Sequence, residues 1–93
     1  MPIKFTLTTS DGSNYPFKLV TSWGNALNKS ALSKRVVESN TESGYTTSLY
    51  FADEDALATY RSDNADVISA VNARKTANSL TTSRTVETVD SIP

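Results

Sequence analysis

Apolar and polar residues alternate with a period of two in four segments of the chain, and this pattern constrains the fold more than any other feature. The segments span residues 3–9, 32–39, 45–51 and 80–89. A period of two places successive side chains on opposite faces of a β-strand. We therefore expect four strands that share one apolar face and one face rich in serine and threonine.

Two stretches between these strands show the three- and four-residue spacing of a helix. In residues 15–29 this spacing is set by apolar side chains, namely Phe17, Val20, Trp23 and Leu27. A strand over residues 17–23 is the competing interpretation, because a period of two also fits there. Residues 54–77 follow an acidic cap at Asp53 and contain a polar interruption at residues 62–64, which predicts two helices or one kinked helix.

The predicted order of elements is strand, helix, strand, strand, helix, strand. Two split βαβ units in this order form a ferredoxin-like α+β fold, with four antiparallel strands and both helices on one face of the sheet. Residues 1–93 are expected to form a single domain of this kind. A hairpin connection over residues 41–44, with Gly44 at its end, should join the second and third strands.

The face of the sheet away from the helices should be polar, and it has more than one interpretation. An antiparallel sheet can leave one face in water, so this face could simply be solvated. Burial against a second copy of the chain is the favoured interpretation, since small domains are marginally stable alone. The predicted interface of this homodimer consists of Thr6, Thr8, Thr46, Ser48 and Tyr50.

The composition excludes several classes of chemistry. The chain has no cysteine and no histidine, so disulfides, thiolate or imidazole zinc sites, histidine-ligated haem, cysteine nucleophiles and serine–histidine–aspartate triads are excluded. The three acids at residues 53–55 are explained by helix capping, so no metal site and no cofactor is predicted. A net charge of −1 gives no overall field that would attract nucleic acid.

The hydropathy pattern argues against a membrane protein. No segment approaches the roughly 20 consecutive apolar residues of a membrane span, and the first residues lack the charged and apolar regions of a signal peptide. The sequence therefore predicts no membrane contact and a cytoplasmic localisation.

Residues 44–56 are similar to the third strand and following helix of an RNA recognition motif. A base-stacking platform needs aromatic side chains two residues apart on the open face of the sheet. Ser48 occupies the position of the partner that Tyr50 would need, and Tyr45 has the parity of the buried residues. Binding of single-stranded nucleic acid through Tyr50 is therefore kept only as an alternative.

Residues 45–70 also resemble the dimeric α/β-barrel superfamily, which includes antibiotic-biosynthesis monooxygenases, EthD-like proteins and stress-responsive barrel proteins. The resemblance rests on an apolar strand that ends at Phe51, an acidic cap, the sequence Ala-Leu-Ala-Thr-Tyr at residues 56–60 and an Arg-Ser-Asp break at residues 61–63. It implies a homodimer in which two sheets pack face to face. It also implies that ligands, where present, lie between the helices and the sheet of each subunit.

Four side chains are candidates for lining such a ligand site: Trp23, Tyr45, Tyr60 and Asn72. A tyrosine has an apolar ring and a polar hydroxyl, which suits a half-buried cleft. Trp23 has the competing interpretation of a core aromatic residue. Two arginines within strands, Arg35 and Arg84, should either extend to solvent or pair across the sheet, with Glu38 or Glu87 as partners.

The predicted function is a small-ligand-binding or interaction module without an evident catalytic constellation, and the expected ligand is small and apolar or aromatic. The enzymatic alternative is a cofactor-independent monooxygenase or isomerase that acts on an aromatic or polyketide-like substrate, with Asn72 or a bound water assisting proton transfer. Without histidine, its general base would be an aspartate, glutamate, lysine or tyrosine whose pKa is shifted inside a cavity. The sequence leaves open whether the protein is an enzyme.

Overall fold

The computed structural model describes residues 1–10, 22–41 and 44–93. The elements, in chain order, are β1 (Ile3–Ser10), β2 (Lys34–Thr41), β3 (Gly44–Phe51), α1 (Glu54–Asp63), α2 (Ala65–Ala77) and β4 (Thr81–Thr88). The four strands form an antiparallel sheet in the order β2-β3-β1-β4. This order and the α+β composition confirm the predicted ferredoxin-like sheet.

The register of the sheet confirms the apolar face that the alternation predicts. Phe5 on β1 lies opposite Leu49 on β3 and opposite Val86 on β4. The main core cluster contains residues from β1, β3 and α1: Ile3, Phe5, Leu49, Phe51, Leu57 and Tyr60. Phe51 is fully buried, and its ring centroid lies 5.2 Å from that of Tyr60 with the two rings tilted by 59°.

Strand β2 begins two residues later than predicted. The backbone N–H of Leu32 donates to the carbonyl oxygen of Lys29 at 3.1 Å, so Leu32 still belongs to a turn. The pairing with β3 shifts between Val37 and Ser39, which leaves Glu38 in a bulge. The adjacent residues Val36 and Val37 point to opposite faces, because they lie opposite consecutive residues of β3.

Gly44 begins β3 and lies close to the backbone of β1. Its φ is +157°, and a Cβ atom at this position would collide with the backbone carbonyl oxygen of Thr9. The glycine predicted at the end of the hairpin connection is therefore required by this close approach. The two residues before it, 42 and 43, lie outside the described residues.

The first half of the helix predicted over residues 15–29 falls on residues 15–21, which lie outside the described part of the chain. Most of the competing strand over residues 17–23 lies outside it as well. Among the residues that are described, Ser22 is helical, residues 23–26 form turns and residues 27–29 are irregular. The prediction of a helix up to residue 29 is therefore wrong. The backbone N–H of Asn25 donates to the carbonyl oxygen of Ser22 at 3.2 Å, which closes a four-residue turn that contains Gly24.

The polar interruption predicted in residues 54–77 is a true break between two helices. Asp53 caps α1, because its Oδ1 accepts a hydrogen bond from the backbone N–H of Ala56 at 2.8 Å. Asn64 separates the helices: its N–H donates to the carbonyl oxygen of Tyr60 at 3.2 Å, and its own carbonyl accepts from Ile68 at 2.8 Å. Both helices then continue on the apolar side of the sheet.

Candidate ligand-binding site

A cavity of about 440 Å³ lies between the apolar face of the sheet and the helices. Its floor is formed by alternate residues of β1 and β3: Phe5, Leu7, Thr9, Tyr45, Thr47, Leu49 and Phe51. Helices α1 and α2 contribute apolar side chains opposite this floor: Leu57, Tyr60, Ile68 and Val71. The volume falls within the range of roughly 300–1,000 Å³ that is typical of small-molecule sites.

The two candidate tyrosines both line this cavity. Tyr45 is contributed by β3 and Tyr60 by α1, and both side chains are largely buried. Desolvation raises the pKa of the Tyr45 phenol, and a hydrogen bond with Thr9 partly opposes this rise. Desolvation also raises the pKa of Tyr60, against the opposing charge of Arg35. Both phenols are therefore protonated at neutral pH.

Asn72 also lines the cavity, and its side chain is held in one orientation. Its Oδ1 accepts a hydrogen bond of 2.7 Å from Nη2 of Arg84 on β4. Because the amide oxygen is used in this way, the NH₂ group of Asn72 is directed elsewhere. Arg84 itself borders the same cavity.

Trp23 does not line the cavity. It packs against Tyr45 and Leu80, and the guanidinium of Arg74 lies 5.7 Å from its ring centroid. This position agrees with the interpretation of Trp23 as a core aromatic residue. The structure thus brings Tyr45, Tyr60 and Asn72 together around one cavity and leaves Trp23 behind Tyr45.

Cationic side chains surround the cavity. Among the lining residues that the structure describes, five carry positive charge: Lys29, Arg35, Arg61, Lys75 and Arg84. Within the described ranges, no aspartate or glutamate lines it. The cavity is therefore electropositive in a chain whose net charge is −1.

Glu38 and Glu87, the partners predicted for the strand arginines, lie near Lys4 instead. The carboxylates of Glu38 and Glu87 lie 3.9 Å and 4.0 Å from Nζ of Lys4, which belongs to the opposite face of the sheet. Arg84 and Glu87 are three residues apart on one strand, so their side chains point to opposite faces. Arg84 is therefore directed towards the cavity, where Asn72 binds it.

The amine of Lys75, at the border of the cavity, has a perturbed pKa. Desolvation lowers the pKa of its amine below the usual lysine value of 10.5, and the nearby charge of Arg84 lowers it further. No carboxylate in the described part of the chain lies within salt-bridge distance of its amine. The sequence offers Lys75 as one of several cations that could hold a carboxylate or phosphate, but its desolvation follows only from the tertiary fold.

The opposite face of the sheet carries the predicted dimer interface. Side chains of Thr6, Thr8, Thr46, Ser48 and Tyr50 share this face by register. Thr8 and Thr46 are paired there, with 3.2 Å between their hydroxyl oxygens. Two of these residues are already buried within one chain, since Ser48 is 0% and Tyr50 5% exposed.

The last residues of the chain run along the end of this face. The N–H of Val89 donates to the carbonyl oxygen of Pro2 at 3.0 Å, and Nζ of Lys34 donates to the carbonyl oxygen of Pro93 at 2.8 Å. Residues 89–93 therefore run from the β4 edge of the sheet to its β2 edge. The ring of Tyr50, which lies opposite Lys34, is not available there as an exposed base-stacking surface.

The described residues form neither a metal-binding cluster nor a membrane-spanning helix. They contain no group of three or more aspartate and glutamate side chains placed to hold a metal ion. None of the described helices is both long enough and apolar enough to span a bilayer.

Comparison with known proteins identifies the fold. No protein-family model matches the sequence, and no curated protein is significantly similar to it. Two structures of SnoaB, a cofactor-independent oxygenase from Streptomyces nogalater, are similar to the chain. An asparagine-to-alanine mutant gives a TM-score of 0.62 at 10% identity, and a second structure of SnoaB gives 0.57 at 11% identity. In each case 98% of this chain and 95% of the other are covered.

A third similar structure is NE2512, a protein of unknown function from Nitrosomonas europaea. Its TM-score is 0.59 at 12% identity, over 99% of this chain and 94% of that chain. Sequence identities this low establish a shared fold and not a shared activity. The resemblance expected from residues 45–70 therefore extends, as a fold, over nearly the whole chain, which has the ferredoxin-like architecture of these proteins.

Proposed function

We propose that the protein binds a small, largely apolar molecule in the cavity between the sheet and the helices. The observation that carries this proposal is the cavity itself, about 440 Å³ in a chain of 93 residues. A small protein would normally fill such a space with side chains, because interiors are closely packed. An apolar ligand would supply the missing packing.

The lining supports an aromatic ligand. Phe5 and Leu49 on the sheet and Val71 on α2 offer apolar surfaces on opposite sides of the cavity. The phenols of Tyr45 and Tyr60 and the amide of Asn72 would supply the few polar contacts that orient a ligand. Apolar walls with a small number of polar groups are typical of small-molecule sites.

Titration with the neutral fluorescent probe N-phenyl-1-naphthylamine tests this function. We expect saturable binding of one probe per chain, with increased emission. Val71→Trp places a large side chain in the cavity and should weaken binding by about tenfold or more, in line with the loss of a well-packed apolar contact. Ala70→Trp is the matched control, because Ala70 is the preceding residue of α2 and is exposed.

Equal binding to the wild type and to Val71→Trp would place the probe outside the cavity and would contradict the proposal. Absence of saturable binding to a folded wild type would contradict it as well. Circular dichroism of both tryptophan variants establishes that they are folded.

A second candidate function is cofactor-independent oxygenation, and the observation that favours it is the lowered pKa of Lys75 beside the cavity. A neutral amine can remove a proton from an acidic carbon, which leaves a carbanion that reacts with O₂ directly. SnoaB, whose fold is similar, is a cofactor-independent oxygenase. With anthrone as the test substrate, one O₂ would be consumed for each anthraquinone and water formed.

Oxygen uptake with anthrone distinguishes this function from binding alone. The oxygenase proposal predicts uptake well above the buffer rate, rising with pH as Lys75 loses its proton and lost in Lys75→Met. Arg74→Gln, on the neighbouring residue, should retain the rate. An uptake that is equal with and without the protein, or unchanged in Lys75→Met, would contradict it.

We also propose that two chains pair through the polar face of the sheet. Half-exposed threonines at positions 6, 8 and 46 on this face, close to Ser48, support this arrangement. Threonine-rich antiparallel faces are well suited to pack against a second sheet.

A further inference from the structure

A small polar recess adjoins the apolar cavity between α2 and β4. Its volume is about 200 Å³, and its lining consists of Asn72, Lys75, Thr76, Leu80, Thr82 and Arg84. Asn72, Lys75 and Arg84 also line the large cavity. The recess is therefore a polar end of the same site.

The polar groups of this recess are mostly hydrogen-bond donors. Lys75 and Arg84 can only donate, and Asn72 has its oxygen engaged by Arg84 and its NH₂ left to donate. The hydroxyl oxygen of Thr82 is buried and has no hydrogen-bond partner among the described residues. A buried hydroxyl without a partner is unfavourable, so a ligand atom that accepts its proton would be stabilising.

The charges in the recess are also unbalanced. Lys75 and Arg84 face each other across α2 and β4, and the described residues that line the recess include no acid. Lys75 is partly desolvated, so the charge of Arg84 acts on it more strongly than it would on a fully solvated amine. Asn72 offsets the charge of Arg84 only through a neutral oxygen.

From this arrangement we propose that the cavity ligand carries a carboxylate, which binds between Lys75 and Arg84 while its apolar body fills the cavity. The proposal rests on the binding function argued above and names the chemical class of the ligand. A carboxylate has two acceptor oxygens, which match the guanidinium of Arg84 and the ammonium of Lys75. The Thr82 hydroxyl and the Asn72 amide lie in the same recess and would donate to the remaining lone pairs.

Isothermal titration with 2-naphthoate and with its neutral isostere 2-naphthamide tests the proposal at pH 7. The two compounds have the same aromatic rings, so the difference between their affinities measures the contribution of the carboxylate. We expect the carboxylate to bind about tenfold or more tightly than the amide, as expected for charge-assisted hydrogen bonds. Lys75→Met and Arg84→Gln should each remove most of this preference and leave the affinity for the amide nearly unchanged.

Two further variants make the test specific. Lys75→Arg retains the charge and should retain the preference for the carboxylate. Arg74→Gln is the matched control, since it removes one positive charge from the neighbouring position of α2 but lies against Trp23, outside the recess. A loss of preference in Arg74→Gln equal to that in Lys75→Met would show a general charge effect and would overturn the proposal.

The outcomes separate failure of the proposal from failure of the binding function. Equal affinity for 2-naphthoate and 2-naphthamide would overturn the carboxylate site and leave the binding function intact. Binding of neither compound to folded protein would overturn both. Inorganic phosphate that competes with 2-naphthoate at equal concentration would show a site for free anions, and would also overturn the proposal.

Thermal unfolding provides a measurement that needs no ligand. Because Lys75 and Arg84 repel each other in the empty site, Lys75→Met should raise the midpoint of unfolding of the free protein. If Lys75 served only to stabilise the fold, its replacement would lower the midpoint of unfolding. A lowered midpoint in Lys75→Met would therefore contradict the assignment of this lysine to ligand binding.

Discussion

Asn28 and Asn64 exchange two hydrogen bonds across the edge of the cavity. The backbone N–H of Asn28 donates to Oδ1 of Asn64 at 2.6 Å, and Nδ2 of Asn64 donates to the carbonyl oxygen of Asn28 at 2.8 Å. Nδ2 of Asn64 also donates to the carbonyl oxygen of Tyr60 at 2.8 Å. One side chain, 2% exposed, thus ties the loop after Trp23 to the break between α1 and α2.

Asn64→Asp should destabilise the protein strongly. The substitution keeps the size of the side chain but removes both N–H donors and buries a carboxylate. We expect the free energy of unfolding to fall by about 3 kcal/mol, the effect of unsatisfied buried polar groups. Urea unfolding measures this change, with Asn25→Asp as the control in an exposed turn. If the free energy of unfolding fell by no more in Asn64→Asp than in Asn25→Asp, the structural role of Asn64 would be contradicted.

Ser79→Gly should stabilise the protein. Ser79 has a φ of 60°, in the left-handed region, directly after the end of α2. The N–H groups of Ser79 and Leu80 bond to the carbonyl oxygens of Thr76 at 3.1 Å and Lys75 at 2.8 Å, which is the pattern of a Schellman motif. Glycine adopts this conformation without strain, so we expect a gain of about 1 kcal/mol in chemical unfolding. Ser69→Gly, in the exposed middle of α2, should instead reduce stability.

Alkaline pH should reduce stability through Tyr60. Its pKa is raised in the folded protein above the ordinary value of 10.0, so the unfolded chain loses this proton first as the pH rises. Folding is therefore favoured by this group below pH 10.0, and the contribution is lost as the pH rises through the raised pKa. The raised pKa of Tyr45 also makes stability fall as the pH rises. The lowered pKa of Lys75 makes stability rise with pH instead.

Comparison of the wild type with Tyr60→Phe isolates this effect. Unfolding by urea between pH 9 and 11 should show a steeper loss of stability in the wild type than in the variant. Parallel curves would mean that the phenol of Tyr60 has the same pKa in both states, contrary to its desolvation in the cavity.

Thr46→Lys should dissociate a dimer formed through the polar face of the sheet. Lysines introduced at equivalent positions of two packed sheets would bury charge without a partner. Tyr50 is less suitable for this test, because it is already buried within one chain. We expect sedimentation to show a dimer for the wild type and for Ala58→Lys, on the exposed side of α1, and a monomer for Thr46→Lys. A wild type that sediments as a monomer would contradict the pairing.

The sequence predicted the sheet well because the information is local. Alternation over β1 and β3 assigns each side chain to a face without reference to the rest of the chain, and the cap at Asp53 needs only the next three residues. The boundaries of β2 were less accurate, because the turn at Leu32 and the bulge at Glu38 depend on the partner strand.

The cavity was only partly predictable. Tyr45 and Tyr60 were recognisable as candidate ligand contacts, and several cations were recognisable as possible partners of a carboxylate or phosphate, but the convergence of these cations on one cavity was not. Lys29, Arg35, Lys75 and Arg84 come from a loop, two strands and a helix, and the tertiary fold brings them to one space. The role of Asn64 was missed for the same reason, since its partner Asn28 lies 36 residues away in the chain.

A crystal structure of the protein with 2-naphthoate tests the central claim most directly, that the space between sheet and helices is a site for an apolar acid. The naphthalene ring should lie between Phe5 and Val71, with its carboxylate within hydrogen-bond distance of Arg84 and Lys75. A naphthoate bound on the polar face of the sheet, or with its carboxylate directed away from both cations, would contradict the account.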